Sequence, residues 1–214
     1  MIEKAAASAA PLTLMDLLDS RENRVTHQRD LLEQFTFATA PGSPSPVENC
    51  RNVTLISMTL NIPGPVKDRP EYRRALETGL HRLNAMLRSD IDSLHRFQVL
   101  HEEFHPLITG PEGYIVVTGD PMAIKKAAIA AEEADALGRL FDIDVLVIGD
   151  DAKPDADGHF SMTDIQGISR SQLGAGPRKC LLCGEDAKAC ARSRAHSMDA
   201  LLTKINEILS DAGL

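Results

Sequence analysis

The chain has 214 residues and a formal net charge of −8; it is 43% hydrophobic and 25% charged, with no Trp and two Tyr. This is a globular composition, long enough for one good-sized domain with a decorated tail. The acidic balance and the scarcity of aromatic rings argue against a nucleic-acid partner, and no apolar run is long enough to span a bilayer.

Residues 1–10 are Ala-rich but carry Glu3 and Lys4 and lack a long apolar stretch, so no signal peptide is expected. The expected location is the cytoplasm, where the four cysteines would serve as metal ligands or free thiols rather than disulfides. Residues 14–37 read as an amphipathic helix with Leu14, Leu17, Leu18, Leu31, Leu32 and Phe35 inward and Arg21, Glu22, Arg24, Arg29 and Asp30 in water. A Pro-rich loop at 41–46 precedes a strand at 53–62 that ends in Pro63-Gly64-Pro65. A helix is expected over 71–88, with Leu76, Leu80, Leu83 and Leu87 on one stripe.

Strands follow at 95–105 and 114–118. Asp120-Pro121 is a helix start, Asp as N-cap and Pro in the first position, and that helix should run to about residue 135. Residues 140–148 form the most strand-like segment, 149–167 a polar loop, and 198–209 a last amphipathic helix. The order strand, helix, strand, strand, helix, strand predicts an α+β, ferredoxin-like split βαβ core. That core would be a four-stranded antiparallel sheet with helices on one face. The expectation is a single domain over 1–214: N-terminal helix and linker (1–46), core (47–150), then acidic loop and Cys/Arg-rich helical extension (151–214).

Charge is segregated along the chain. Residues 132–164 carry a net −8, residues 170–196 a net +4 and residues 67–88 a net +3. Asp142 and Asp144 open the strongest strand, and alternation puts both carboxylates on one face, about 7 Å apart. Such a pair repels unless a cation lies between, which suits Mg²⁺ with positions left for phosphate oxygens. The plain alternative is a solvated strand end.

Cys180-x₂-Cys183-x₆-Cys190-x₅-His196 has the makings of a Cys₃His zinc site. Small buried thiols, with Cys190 on a helix, are the alternative. Arg170, Arg178, Lys179, Arg192 and Arg194 lie among these ligands and are candidate phosphate contacts, or else a solvated basic face. The turn from Asn61 to Lys67 would lie beside the strand carrying Asp142, with its amides and Lys67 near an anion. His27, His81, His95, His101 and His105 show no metal-ligand spacing, and Cys50 stands apart.

Several segments together resemble one known family. They are Leu17-Leu18 with Arg21-Glu22, Arg24 and Gln28; Thr59-Leu60-Asn61-Ile62-Pro63-Gly64-Pro65-Val66-Lys67; Gly138-Arg139-Leu140-Phe141-Asp142-Ile143-Asp144-Val145; and Arg178-Lys179-Cys180-Leu181-Leu182-Cys183 with Cys190-Ala191-Arg192-Ser193-Arg194-Ala195-His196. The family is the apo-citrate lyase phosphoribosyl-dephospho-CoA transferases, also called holo-citrate lyase acyl-carrier-protein synthases. The resemblance implies transfer from triphosphoribosyl-dephospho-CoA to a serine of the apo acyl-carrier subunit of citrate lyase, with release of pyrophosphate. Under it Asp142 and Asp144 would hold Mg²⁺, Arg139 would neutralise charge on the leaving group, and the basic block would fold back over the acidic strand. The basic stretch 67–88 would meet an acidic carrier.

A weaker resemblance links the strand ending in Leu60-Asn61 and the Leu137-to-Leu146 segment to hydroxymethyl-dihydropterin pyrophosphokinase, a ferredoxin-like fold with paired strand aspartates on Mg²⁺. An ATP-dependent pyrophosphokinase and a non-enzymatic zinc-bearing binding module are the competing readings.

Overall fold

A computed structural model of the chain describes residues 12–38, 53–88, 97–157 and 159–214. The 41–46 loop, Cys50 and His95 fall outside those residues. Among the described residues, five α-helices and five strands follow in the order α1 (Leu14–Ala38), β1 (Val53–Leu60), α2 (Pro70–Arg88), β2 (Gln98–His105), β3 (Glu112–Thr118), α3 (Pro121–Glu133), β4 (Phe141–Ile148), β5 (Ile165–Gly167), α4 (Ala187–Ser193) and α5 (Met198–Asp211). The sheet is antiparallel throughout, in the order β2-β3-β1-β4-β5. It therefore has five strands where the sequence predicts four. The addition is β5, three residues too short to show a periodic pattern, lying inside the stretch read as loop and pairing with residues 146–148 of β4.

One sheet face is largely apolar. Ile56, Met58, Ile115, Val117, Phe141, Ile143 and Val145 meet Leu76, Leu80 and Leu83 of α2, Ile124 and Ala128 of α3, and Ile205 and Ile208 of α5. The strands run through Val, Ile and Leu because both their faces are covered there, and α2 fits because its leucine stripe has helical spacing. Asp120 caps α3 as expected, accepting from the amides of Met122 and Ala123, with Pro121 in the first turn. Gly138 lets the chain turn tightly from α3 into β4; a Cβ there would lie 2.4 Å from the Ala131 carbonyl oxygen.

The opposite face carries α1, and here the expected inward stripe is corrected. Leu31 and Leu32 are buried, but Leu14 and Leu18 are 72% and 41% exposed. The residues that face the sheet along the first half of α1 are Ser20, Arg24, His27 and Gln28, through contacts with Thr109, Glu112, Glu103 and Ser57. The inner stripe is thus polar in its N-terminal half because the sheet beneath it is polar.

Candidate active site

The polar half of the α1 face is built by strand register. Glu103 of β2 stands opposite Tyr114 of β3, Tyr114 opposite Ser57 of β1, and Ser57 opposite Asp144 of β4. In the next row His105 pairs with Glu112, and Thr59 with Asp142. The row on the other side, Leu55 with Val116 and Leu146, is apolar. Gln28 donates to the Ser57 hydroxyl (2.9 Å), and Arg24 pairs with the buried Glu112 (2.7 Å), which also accepts from the Tyr114 hydroxyl (2.5 Å).

Asp142 and Asp144 share this face, as their alternation predicts. Asp144 is open at its surface but crowded by protein below, and that partial desolvation, then the charge of Asp142, raise its pKa; Lys125, Arg24 and Arg178 pull the other way. A second cationic partner for the pair would relieve the repulsion, and two carboxylates form an all-oxygen donor set suited to a hard divalent ion.

The outer edge of β4 explains several buried charges. Because β5 pairs only with residues 146–148, the edge of β4 at residues 141–143 has no strand partner among the described residues. Side chains fill in: the Lys125 ammonium donates to the Ile143 carbonyl (2.8 Å), and the Ile143 amide donates to Glu132 (3.1 Å). Arg178 donates to the carbonyls of Phe141 (2.7 Å) and Arg139 (3.0 Å) and to Asp142 Oδ1 (3.1 Å). Glu132 and Lys125 are each 5% exposed. Burial raises the Glu132 pKa and lowers that of Lys125, while their mutual charge and Arg178 and Arg170 temper the Glu132 shift. Arg170 bonds Glu132 (2.8 Å), Glu133 and the Gly176 carbonyl, so its fork ties the basic block to α3.

The cysteine block lies directly behind this edge. One ligand atom from each of Cys180, Cys183, Cys190 and His196 falls within 4.8 Å of the others, a set that could hold a metal such as zinc. Cys183 Sγ lies 3.5 Å from Cys190 Sγ and 3.2 Å from His196 Nε2. Amides of Leu182 and Cys183 and the neighbouring thiols outweigh burial and bring the Cys180 thiol down to about 7; sharing with Cys183 pushes Cys190 up to about 12. Cys180 sits two residues after Arg178, and the Ala187 amide donates to the Arg178 carbonyl (2.9 Å), so the arginine and the cysteine knuckle share one turn. Arg139 closes the connection by donating to the carbonyls of Lys179 (3.0 Å) and Cys180 (2.9 Å).

Other expected site residues are spread more widely. The Asn61 amide donates to Leu140 O (2.8 Å), which seats the Asn61–Lys67 turn beside β4 while the Asn61 side chain stays exposed. Lys67 donates to Ile62 O (2.5 Å), and burial, then Arg21, lower its pKa. Lys179, Arg192 and Arg194 are exposed. On the stretch 67–88, Arg69, Arg73 and Arg82 are already paired with Glu71, Asp68 and Asp135. The sequence reading quoted Arg24 and Gln28 only as part of the family resemblance, without a place in the site, and missed Ser57, Glu112, Tyr114, Lys125 and Glu132; the period-2 continuation of Asp142-Asp144 across the sheet could have hinted at the Ser57 row. It also set His27 and His105 aside, yet both lie against Glu103.

Comparison with known proteins gives the family. The family model for apo-citrate lyase phosphoribosyl-dephospho-CoA transferase matches residues 12–212. A probable apo-citrate lyase phosphoribosyl-dephospho-CoA transferase of Vibrio cholerae serotype O1 (strain M66-2) is 35% identical over 201 residues, 94% of this chain and 93% of that protein. One of the same description from Streptococcus pyogenes serotype M5 (strain Manfredo) is 31% identical over 209 residues, 98% and 91%. Protein CitXG of Leuconostoc mesenteroides subsp. cremoris is 32% identical over 199 residues, 92% of this chain but 35% of its own length. The chain thus spans about a third of that protein and nearly all of the other two. With the model matched from residue 12 to 212, the chain belongs to the apo-citrate lyase phosphoribosyl-dephospho-CoA transferase family.

Proposed function

We propose that this transferase moves the phosphoribosyl-dephospho-CoA group from triphosphoribosyl-dephospho-CoA to a serine of the apo acyl-carrier subunit of citrate lyase. The serine oxygen forms a bond to the first phosphorus of the triphosphate, the bond from that phosphorus to the next phosphate breaks, and pyrophosphate leaves. The serine proton is lost to solvent. The observation that carries the reading is Arg178 on Asp142 (3.1 Å), which joins the basic block to the paired carboxylates in one site.

Asp142 and Asp144 are the residues that would hold Mg²⁺; when bound, the ion supplies charge neutralisation across the triphosphate. Arg139 and Arg178 supply positive charge beside it, with Arg139 aimed by its two carbonyl contacts and Arg178 held by the knuckle. Asn61, Lys67, Lys179, Arg192 and Arg194 are the further phosphate contacts, and Arg170 acts by anchoring the block on Glu132. Zinc on Cys180, Cys183, Cys190 and His196 would be structural, since four protein ligands leave no open position. Three thiols that must stay reduced as ligands support a cytoplasmic setting. The arrangement of β1 to β4 with α2 and α3 supports a ferredoxin-like core to which β5 is added, within a single domain of N-terminal helix, core and C-terminal extension.

The test is incubation of the chain with apo carrier, donor and Mg²⁺, followed by intact mass of the carrier. A gain equal to the phosphoribosyl-dephospho-CoA group is the expected result. No gain, with retained zinc, would leave the binding-module reading; consumption of ATP with pyrophosphate transfer to a small heterocycle would point to the pyrophosphokinase instead.

A further inference from the structure

We propose that His27, Glu103 and His105 form a second divalent-metal site, separate from the cysteine cluster, that clips α1 to the edge strand β2. The ion class is first-row and imidazole-binding, Zn²⁺ foremost, since two nitrogens and one carboxylate oxygen are too soft a set for Mg²⁺.

The geometry comes from two elements. His101, Glu103 and His105 alternate along β2 and so point to the face under α1, and His27 descends from α1 onto them. One ligand atom from each of His27, Glu103 and His105 lies within 4.8 Å of the other two. His27 Nε2 contacts Glu103 Oε1 directly, and His105 Nε2 lies 3.5 Å from the same oxygen. Ligands about 2.1 Å from a tetrahedral ion sit about 3.4 Å apart, so only small side-chain rotations separate this arrangement from a coordination shell. The rings are already braced: His27 and His105 lie 5.1 Å apart, and each meets the Tyr114 ring edge-on. His101 Nε2 sits 3.2 Å from the second Glu103 oxygen, where an orienting partner belongs.

Charge makes the same point. The neighbouring carboxylate under α1, Glu112, has Arg24 as its cation. Among the described residues, the basic groups within ion-pair distance of Glu103 are His27, His101 and His105, which carry charge only when protonated. No Arg or Lys lies within ion-pair distance of Glu103 among the described residues, so this carboxylate lacks a permanent counter-charge. A divalent ion supplies it. Three protein ligands leave one position for water or an anionic oxygen. The clip also sets Arg24 and Gln28, which flank His27 on the inner stripe of α1, over Glu112 and Ser57.

Metal counting tests this without the transfer assay. The full chain carrying Asp142→Asn and Asp144→Asn, which removes the carboxylate pair as a competitor, is stripped by chelation under reducing conditions. It is then titrated with Co²⁺ against a chromophoric chelator and displaced with Zn²⁺. Two equivalents are expected, one with sulfur-to-cobalt charge-transfer absorption and one without. Adding Glu103→Gln, or His27→Ala with His105→Ala, should abolish the sulfur-free equivalent; His101→Ala should weaken it about 10–100-fold. Cys183→Ser with Cys190→Ser should leave it in place. A single equivalent, or a sulfur-free equivalent that survives loss of both histidines in a variant with an unchanged circular dichroism spectrum, overturns the proposal. Glu103→Gln preserves side-chain volume, so a folding defect in the double histidine variant does not leave the question open.

Discussion

The two faces of this one sheet use the same strands for opposite purposes. On the α2–α3 face Ile56, Met58, Ile115, Phe141, Ile143 and Val145 of the three central strands are apolar and buried. On the α1 face the apolar layer of Leu31, Leu32, Val53, Leu55, Val116 and Ile148 ends at the row of Leu55, and beyond it Ser57, Glu112, Asp142 and Asp144 take over. The first face supplies a stiff base; the second uses that stiffness to hold charges that would otherwise separate. Substitution on the two faces should therefore separate catalysis from stability.

The largest effect expected is on the polar side. Asp144→Asn should lower the transfer rate by about 10²–10³, the scale for one well-placed charge contact, measured by carrier mass gain over time. Its stability should not fall. Folding raises the Asp144 pKa, so the folded state binds a proton more readily than the unfolded chain just above the ordinary carboxylate range, and stability drops as pH rises through that window. The Asn variant escapes that loss, so its melting temperature at neutral pH should equal or exceed the parent's. By the same shift, activity of the parent should fall as pH drops through the raised Asp144 pKa, where the carboxylate needed for a cation is lost. Leu83→Ala on the other face should do the reverse: about 2–5 kcal/mol less stable, with the turnover of the folded fraction unchanged. A rate loss in Leu83→Ala as deep as that in Asp144→Asn would erase the distinction between the faces.

The next effect tests how the basic block is joined to the polar face. Arg178 uses a planar fork on Asp142 and two carbonyls. Lysine keeps the charge but cannot reach all three, so Arg178→Lys should lower the rate about tenfold to a hundredfold, the value of one or two charge-assisted hydrogen bonds. Cys183→Ser loosens the turn that aims Arg178 and should cost the same or less, together with faster limited proteolysis around residues 168–197. Full activity with a proteolysed block would mean that the knuckle does not position the arginine.

The sequence carried much of this arrangement, for reasons visible residue by residue. The leucine stripe of α2 and the Asp120-Pro121 start of α3 are local patterns, and local patterns decide helices. Asp142 and Asp144 were legible as a pair because strand alternation is rigid. The block from Arg178 to His196 was legible as ligands because cysteine has few other uses in such density. The α1 orientation was not: Leu14, Leu17 and Leu18 outweighed Arg24, His27 and Gln28 in any hydrophobic count, although the polar set faces the sheet. The roles of Lys125 and Glu132 were not legible, since nothing local reveals that β5 stops short of residue 143 and leaves a strand edge to be capped. The His27–Glu103–His105 grouping joins residues 76 and 78 positions apart, beyond any spacing rule.

The smallest effect concerns Arg192 and Arg194, the outer rim of the block. Both are exposed, and Arg194 caps α4 in the left-handed conformation at φ 50°. An exposed charge contact contributes roughly 0.2–1 kcal/mol, which caps the expected loss for Arg192→Ala with Arg194→Ala at a few-fold each. What such residues can do is raise the local concentration of a polyanionic donor ahead of contact. The double variant should therefore raise KM for the donor and leave kcat alone, and the difference from the parent should shrink as ionic strength rises past about 0.15 M, where the screening length falls to roughly 8 Å. A drop in kcat that persists at high salt would move these two arginines from the rim to the reacting phosphates, and the boundary drawn here between Arg178 and the rest of the block would have to move with them.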